Sequence, residues 1–486
     1  MSAIKKIVWL PLVLLGCINA AAQLSVPKII AHNMVLQRGQ PVPIWGVAKA
    51  GDAVTVTFNK QKKTTVADNA GNWEVVLDAM AAAAIPQSLV IKTATNSIVL
   101  DNILVGEVWL CSGQSNMEYT MRKNSKVIMP DSITNWPVNE LQTAHNKNIR
   151  IFLVDRKKMK PDPAHAGWEI AEDSALRLFS AAGYFFAKKI FEELQVPVGV
   201  IASSIPGSRI EPWMPREAFT ALPFFNDQTD STHKIDGDPG KFYETMIAPL
   251  APFAMKGFLW YQGESNCFLG ERLQYAYKMK ALIGQWRKLW NNNAMPFYYV
   301  QIAPYAYSKQ KGQVSYTEES LPEFWEAQAL ALKIPHTAMA GTTDLNFKLD
   351  DLHPHYKWEI GKRLALCALA NTYGRKDIVP MGPMYQSMNL QENKIIIDFK
   401  YSGSGLVSKD GQPLKDFTIA AADGKFSPAI AVLKNNKVEV NAPGILKPVA
   451  VRFNWNEKGQ PNLYNKEGLP ALPFRTDNPL NEKFDN

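Results

Sequence analysis

Two stretches of the chain nearly repeat one another: "VWLCSGQSNM" around Ser115 and "FLWYQGESNC" around Ser265. Each is an apolar run that ends in Gly-x-Ser-Asn. Such a run reads as a buried strand delivering a tight turn. A serine on that turn becomes a nucleophile only if a base activates it. Seven histidines are available. His32 lies in a segment of period two, His145, His165 and His233 lie in loop-like stretches, and His336 precedes a strand. His353 and His355 follow the run "TAMAGTTDL" and open the last strong helical pattern. His353 is the best placed, because "DDLHP" sets acids beside it. A serine base must offer Nε2 to the hydroxyl while a carboxylate holds Nδ1–H. Asp350, three residues before the ring, can fold back to Nδ1, and Asp351 is one residue closer. Pro354 fixes the backbone after the ring and is expected to start the helix. The competing reading is a helix cap beside a solvated histidine.

The elements that would carry these residues fall into regions of different period. From residue 23 to 102 the period is two: Val54, Val56 and Phe58 face one way, and Trp73, Val75 and Leu77 alternate again after "DNAGN". This predicts a small antiparallel β domain. From residue 103 to 375 apolar strands ("EVWLC", "PVGVIASS", "GFLWYQ", "PFYYVQIA", "TAMAGTTD") alternate with helical patterns. The helical patterns include "ALRLFSAAGYFFAKKIFEEL", "LQYAYKMKALIGQWRKLW" and "HYKWEIGKRLALCALA". Strands alternating with helices imply parallel strands and right-handed crossovers, a three-layer α/β/α sandwich. Ligands in such sheets gather outside the carboxyl ends of the strands, where Ser115 and Ser265 both sit. Two stretches, from Met117 to about Trp168 and from Ser208 to Tyr243, read as long functional loops. From residue 380 to 480 the period returns to two, predicting a second β domain. The proline-rich "EGLPALPFRTD" is expected to drape over a neighbouring domain.

With 486 residues, 46% hydrophobic and 10% aromatic, the chain can bury substantial cores. Its formal charge of +8 is scattered, with no basic stripe interleaved with aromatics. Nucleic acid is therefore not an expected partner. "MSAIKK", then "IVWLPLVLLG", then "INAAAQ" reads as a leader over residues 1–22 with cleavage after Ala22, implying export to the periplasm or the exterior. Lipidation at Cys17 is the second reading of that segment. No later stretch reaches the roughly 18 apolar residues of a membrane span. Cys111, Cys267 and Cys367 remain, without a CxxC, so neither a disulfide framework nor a zinc knuckle is indicated. Cys367 has core spacing with Ile360 and Leu364.

The combination of "GQSNM", "WYQGESN" and "DDLHP", in that order, resembles the SGNH-type serine hydrolases and, more closely, the sialate O-acetylesterase family. The flanks "MVLQRGQPVPIWG" and "GLPALPFRTD" extend the similarity from about Val26 to Asp477. The resemblance implies a three-layer α/β/α SGNH-hydrolase (flavodoxin-like) core flanked by two small all-β domains. It implies Ser115 as nucleophile, His353 as base and Asp350 as the acid of the D-x-x-H pattern, with Asp351 the other acid that could orient the ring. In "SSIPGSRIEPW", Gly207 matches the residue whose backbone N–H faces the oxyanion, and Pro206 stands where the family pattern has a first glycine. A third oxyanion donor is expected from Gln262, with Asn266 the alternative. Ser265 would then be a turn hydroxyl on an oxyanion arm. Arg209, Trp213 and Glu118 are expected to line a sugar pocket, Arg209 against a substrate carboxylate. The implied substrate is an O-acetylated sugar, sialic acid first and acetylated xylan or another glycan second. A non-catalytic carbohydrate-binding protein is the reading from another class. No metal or cofactor is expected.

Overall fold

The computed structural model describes residues 23–127, 137, 139–154, 167–227, 229–230, 233–311, 314–345 and 348–485. The expected leader, Cys17 and His165 lie outside the described residues. Alternation of two builds the first strands. β1 (Val35–Gln37) is short, and β2 (Val42–Val47) follows it. β3 (Ala53–Phe58) buries Val54, Val56 and Phe58 on one side and pairs antiparallel with β4 (Gln61–Val66). β5 (Asn72–Leu77) buries Trp73, Val75 and Leu77 and pairs with β2. β6 (Ala83–Lys92) joins β3 to β7 (Ser97–Gly113).

β7 is 17 residues long and changes character along its length. Its first six residues are only partly buried, and from Ile103 onward every residue is buried. The expected boundary between residues 102 and 103 therefore falls inside one continuous strand. The same strand closes the antiparallel β layer and then enters the centre of the parallel sheet, where both faces are covered.

That sheet adds β8 (His145–Leu153), β9 (Trp168–Glu172), β10 (Val198–Ser204), β11 (Gly257–Tyr261), β12 (Phe297–Val300) and β13 (Thr337–Ala340), in the order β13-β12-β11-β7-β10-β8-β9. All neighbours are parallel except β8 and β9. Helices cover both faces. Trp109 meets Phe186 of the helix Ala181–Leu194, and Trp260 meets Trp286 of the helix Leu273–Leu289, edge to face at 5.2 and 5.7 Å. Gly257 lies beside Trp109, and a side chain there would stand 2.7 Å from the indole.

β8 lies inside the first stretch read as a loop. Only Ile149–Phe152 are fully buried along it, and Arg150 interrupts the apolar run. Its guanidinium is buried by hydrogen bonds to the Lys147 carbonyl at 2.7 Å and to Asn102 Oδ1 at 3.2 Å. The pattern "ALRLFSAAGYFFAKKIFEEL" is divided at Ser180, whose hydroxyl caps the helix by accepting from Gly183 N at 3.1 Å. The last helix runs Lys357–Asn371 and does not start at Pro354. Residues 353–356 are held out of helical geometry because the Asp351 carboxylate takes the His353 N–H at 2.8 Å.

Beyond residue 380 two four-stranded antiparallel sheets enclose a separate core that includes Ile395, Ile397, Val438, Val451 and Phe453. The closing segment lies against the α/β layer: Leu472 fills the space left by the missing side chain of Gly341, and Arg475 pairs with Glu326 at 2.9 Å.

Candidate active site

β7 lies between β10 and β11, the place where successive crossovers change direction, and a crevice outside the strand ends follows from that order. At its end Gly113 has φ +139°, and a Cβ there would stand 2.1 Å from the Tyr261 carbonyl oxygen. Only glycine lets the two strands close to this distance. Gln114 N then donates to Tyr261 O at 3.0 Å, so the two near-repeats are joined at their turns. Ser115 opens the short helix Ser115–Glu118, which leaves its backbone N–H pointing out of the helix start.

His353 arrives from the loop after β13, and its Nε2 lies 2.9 Å from Ser115 Oγ. The carboxylate nearest the other ring nitrogen belongs to Asp351, with Oδ1 3.9 Å from Nδ1. Asp351 Oδ2 lies 3.1 Å from His355 Nε2. Asp350, the expected acid, is exposed and forms no ion pair with the ring. The reason is a turn closed by Asp351 N donating to Lys348 O at 3.0 Å, which places Asp350 at its outer corner. Partial burial and the Lys357 charge hold the His353 imidazole below the usual histidine range, opposed by Asp351. A neutral ring near pH 7 can accept a proton.

Sequence reasoning gave no role to the group that ties these loops together. Asn116 Nδ2 donates to the Glu264 carboxylate and, at 3.1 Å, to the Leu352 carbonyl directly before His353. Lys357 Nζ donates to Asn116 Oδ1 at 2.6 Å, and its ammonium lies over the rings of Tyr119 and Tyr261. Burial pulls the Lys357 ammonium down to about 7 and pushes the Glu264 carboxyl up. The only sequence signal was that each residue falls inside a motif already quoted: Asn116 in "GQSNM", Glu264 in "GESN" and Lys357 in "HPHYKW".

The expected oxyanion amides are otherwise engaged. An amide carries two N–H hydrogens. Asn266 Nδ2 donates to Glu211 at 3.2 Å and Glu271 at 3.1 Å, while its Oδ1 accepts from Ile210 N and from Gln262 Nε2. Gln262 Nε2 spends its second hydrogen on the Ser208 carbonyl at 3.2 Å. Lys278 Nζ sits between Glu211 and Glu271 at 2.6 and 2.7 Å and offsets part of their buried charge. Gln262 and Asn266 therefore brace the turn and have no hydrogen left for a substrate. Gly207 stands in an exposed turn at φ +71°, with no atom within 4 Å of a Cβ position. Beside Ser115, the Gln114 side-chain oxygen Oε1 accepts from Gly263 N at 3.3 Å and Ser265 N at 3.4 Å. This arrangement anchors the amide by its oxygen and leaves its N–H groups directed away from the second turn.

The three expected sugar contacts separate. Trp213 is fully buried, donates to Ser208 Oγ at 3.0 Å and packs on Trp260, so it supports the wall from behind. Arg209 is held by Asp236 at 3.3 Å. Glu118 is half-buried one turn beyond Ser115. Cys111, Cys267 and Cys367 are buried free thiols.

Comparison with known proteins matches residues 105–370 to the family model "Carbohydrate esterase, sialic acid-specific acetylesterase". The chain is 27% identical to the sialate O-acetylesterase of Homo sapiens, covering 96% of this chain and 95% of that one. The Rattus norvegicus enzyme is 26% identical over 92% of this chain and 93% of its own. Among solved structures, a carbohydrate acetylesterase from Xanthomonas citri is 32% identical, with a TM-score of 0.81, covering 93% of this chain and 99% of that one.

Proposed function

The chain belongs to the sialic acid-specific acetylesterase family of carbohydrate esterases and is a carboxylic ester hydrolase, and from that premise we propose that it is an exported serine esterase that removes O-acetyl groups from sugars, sialic acids first. The observation that carries the mechanism is the 2.9 Å contact between Ser115 Oγ and His353 Nε2. Ser115 Oγ attacks the acetyl carbonyl carbon while Nε2 takes its proton. The carbonyl oxygen gains the negative charge, and the N–H groups of Ser115 and Gly207 receive it. Asp351 favours the imidazolium that forms. His353 returns the proton to the sugar oxygen as the C–O bond breaks. Water, deprotonated by the same ring, then attacks the acetyl-serine, and the ring returns that proton to Ser115 Oγ as the acyl bond breaks and acetate leaves. The basic and apolar start of the chain supports export.

Gln114 replaces Gln262 and Asn266 as the third oxyanion donor in this reading, because its side-chain oxygen is anchored, its Nε2 is not spent on those bonds, and it directly precedes Ser115 in the chain. One such donor is worth about 2.7–4 kcal/mol of barrier. Gln114→Ala is therefore expected to lower kcat by about 10²–10³-fold with little change in KM. Gln114→Glu, which keeps the anchoring oxygen but repels the oxyanion, is expected to do no better. Steady-state kinetics on p-nitrophenyl acetate read both variants, and near-normal kcat in either removes Gln114 from the role.

Acetate release from O-acetylated sialic acid, acetylated xylan and p-nitrophenyl acetate tests the function itself. Release from the sialic acid substrate is the expected result. Release from xylan alone would move the assignment to plant polysaccharide. Cleavage of p-nitrophenyl acetate with no release from any acetylated sugar would overturn it.

A further inference from the structure

A cavity of about 260 Å³ opens where β8 and β10 end, and its lining begins at Glu118, on the short helix that Ser115 opens. Its lining includes Glu118, Thr120, Arg122, Lys123, Val154 and Ser204. Arg122 and Lys123 lie on the short helix Met121–Asn124, which follows the helix of Ser115 after a two-residue bend. Lys123 Nζ stands 3.9 Å from Glu118, so the cavity's own acid already faces a cation. Among the described residues no carboxylate pairs with the guanidinium of Arg122. Arg209, the basic residue in the glycine block, is by contrast engaged by Asp236. A guanidinium presents a planar fork of donors that matches a carboxylate on two bonds, which a neutral sugar hydroxyl cannot reproduce. The hydroxyls of Thr120 and Ser204 add polar groups suited to a sugar ring.

We propose that this cavity is a carboxylate subsite, in which Arg122 holds the acid group of an acetylated sugar acid while its ester lies at Ser115. The proposal rests on the esterase reading and adds to it the feature that selects acidic over neutral sugars. Two kinds of sugar carry such a group, nonulosonic acids and hexuronic acids, and both offer the same carboxylate to the fork.

The test compares each acetylated sugar acid with its methyl ester, which keeps the ring and removes the charge. For the wild type, kcat/KM on the acid is expected to exceed that on the ester by about tenfold or more. In Arg122→Leu that ratio is expected to collapse towards one, mainly through KM, and Arg122→Lys is expected to restore part of it. Running an O-acetylated sialic acid beside an O-acetylated galacturonic acid shows which ring the cavity accepts. A second readout needs no turnover of sugar: the deacetylated acid is expected to inhibit p-nitrophenyl acetate hydrolysis, with an inhibition constant about tenfold weaker in Arg122→Leu. Equal treatment of acid and ester by the wild type, or a ratio that survives Arg122→Leu, overturns the subsite. Inhibition by the acid that depends on Arg122, with no acetate released from any sugar, would keep the subsite and overturn the esterase reading instead.

Discussion

Replacing Ser115 by alanine is expected to reduce acetate release by about 10³-fold or more, and replacing Ser265 by alanine to leave most of it. The two serines end near-identical turns, yet they meet different surroundings. Ser115 Oγ has an imidazole nitrogen at 2.9 Å. Ser265 offers the site its backbone N–H, which holds the Gln114 side-chain oxygen Oε1, and alanine keeps that N–H. A burst of p-nitrophenol from p-nitrophenyl acetate, followed by steady acetate release, reads both variants. The esterase reading fails if Ser115→Ala keeps its burst. The nucleophile changes identity if Ser265→Ala is the variant that loses it.

The second large effect separates two adjacent acids. Asp351→Asn is expected to lower kcat/KM by about 10²–10⁴-fold, and Asp350→Asn to leave it near the wild-type value. Asp351 Oδ1 fixes the loop by accepting the His353 N–H at 2.8 Å and faces Nδ1 at 3.9 Å, whereas Asp350 stands exposed on the corner of the turn. The pH profile adds a sign. Asp351 raises the basicity of the ring and burial lowers it. Removing the carboxylate should therefore move the acid limb of kcat/KM to lower pH, even as the plateau falls. A large loss in Asp350→Asn, or an acid limb that moves to higher pH in Asp351→Asn, would reverse the assignment.

Asn116 links the two predictions. Its side chain touches the carbonyl before His353, the Glu264 carboxylate and the Lys357 ammonium, so one amide holds three loops in register. Ser115 and His353 lie 238 residues apart in the chain, and such buried bonds hold the loops on which they meet. Lys278 with Glu211 and Glu271 does similar work behind the second turn. There Asn266 and Gln262 are consumed in a network that sets one buried cation between two buried carboxyl groups.

Some of this was legible from residue order alone, because it depends on local physics. Continuous apolar runs between helical patterns imply parallel strands covered on both faces, and the sheet has that form. Glycine turns at the ends of "VWLCSGQSNM" and "FLWYQGESNC" imply a close approach of backbone, and Gly113 makes it against Tyr261. Other features were decided only when the chain closed on itself. β8 was hidden because Arg150 breaks its apolar run, and two of the side chains that satisfy its guanidinium, Asn102 and Asn33, lie far away in the sequence. That Asp351 rather than Asp350 lies nearer the His353 ring follows from the turn closed by the backbone hydrogen bond from Asp351 to Lys348. Gln262 and Asn266 read as free donors until Glu211, Ser208 and Glu271 take their hydrogens. Residue order states which donors and acceptors a protein has. Each of them can be used only once, and the tertiary structure decides where.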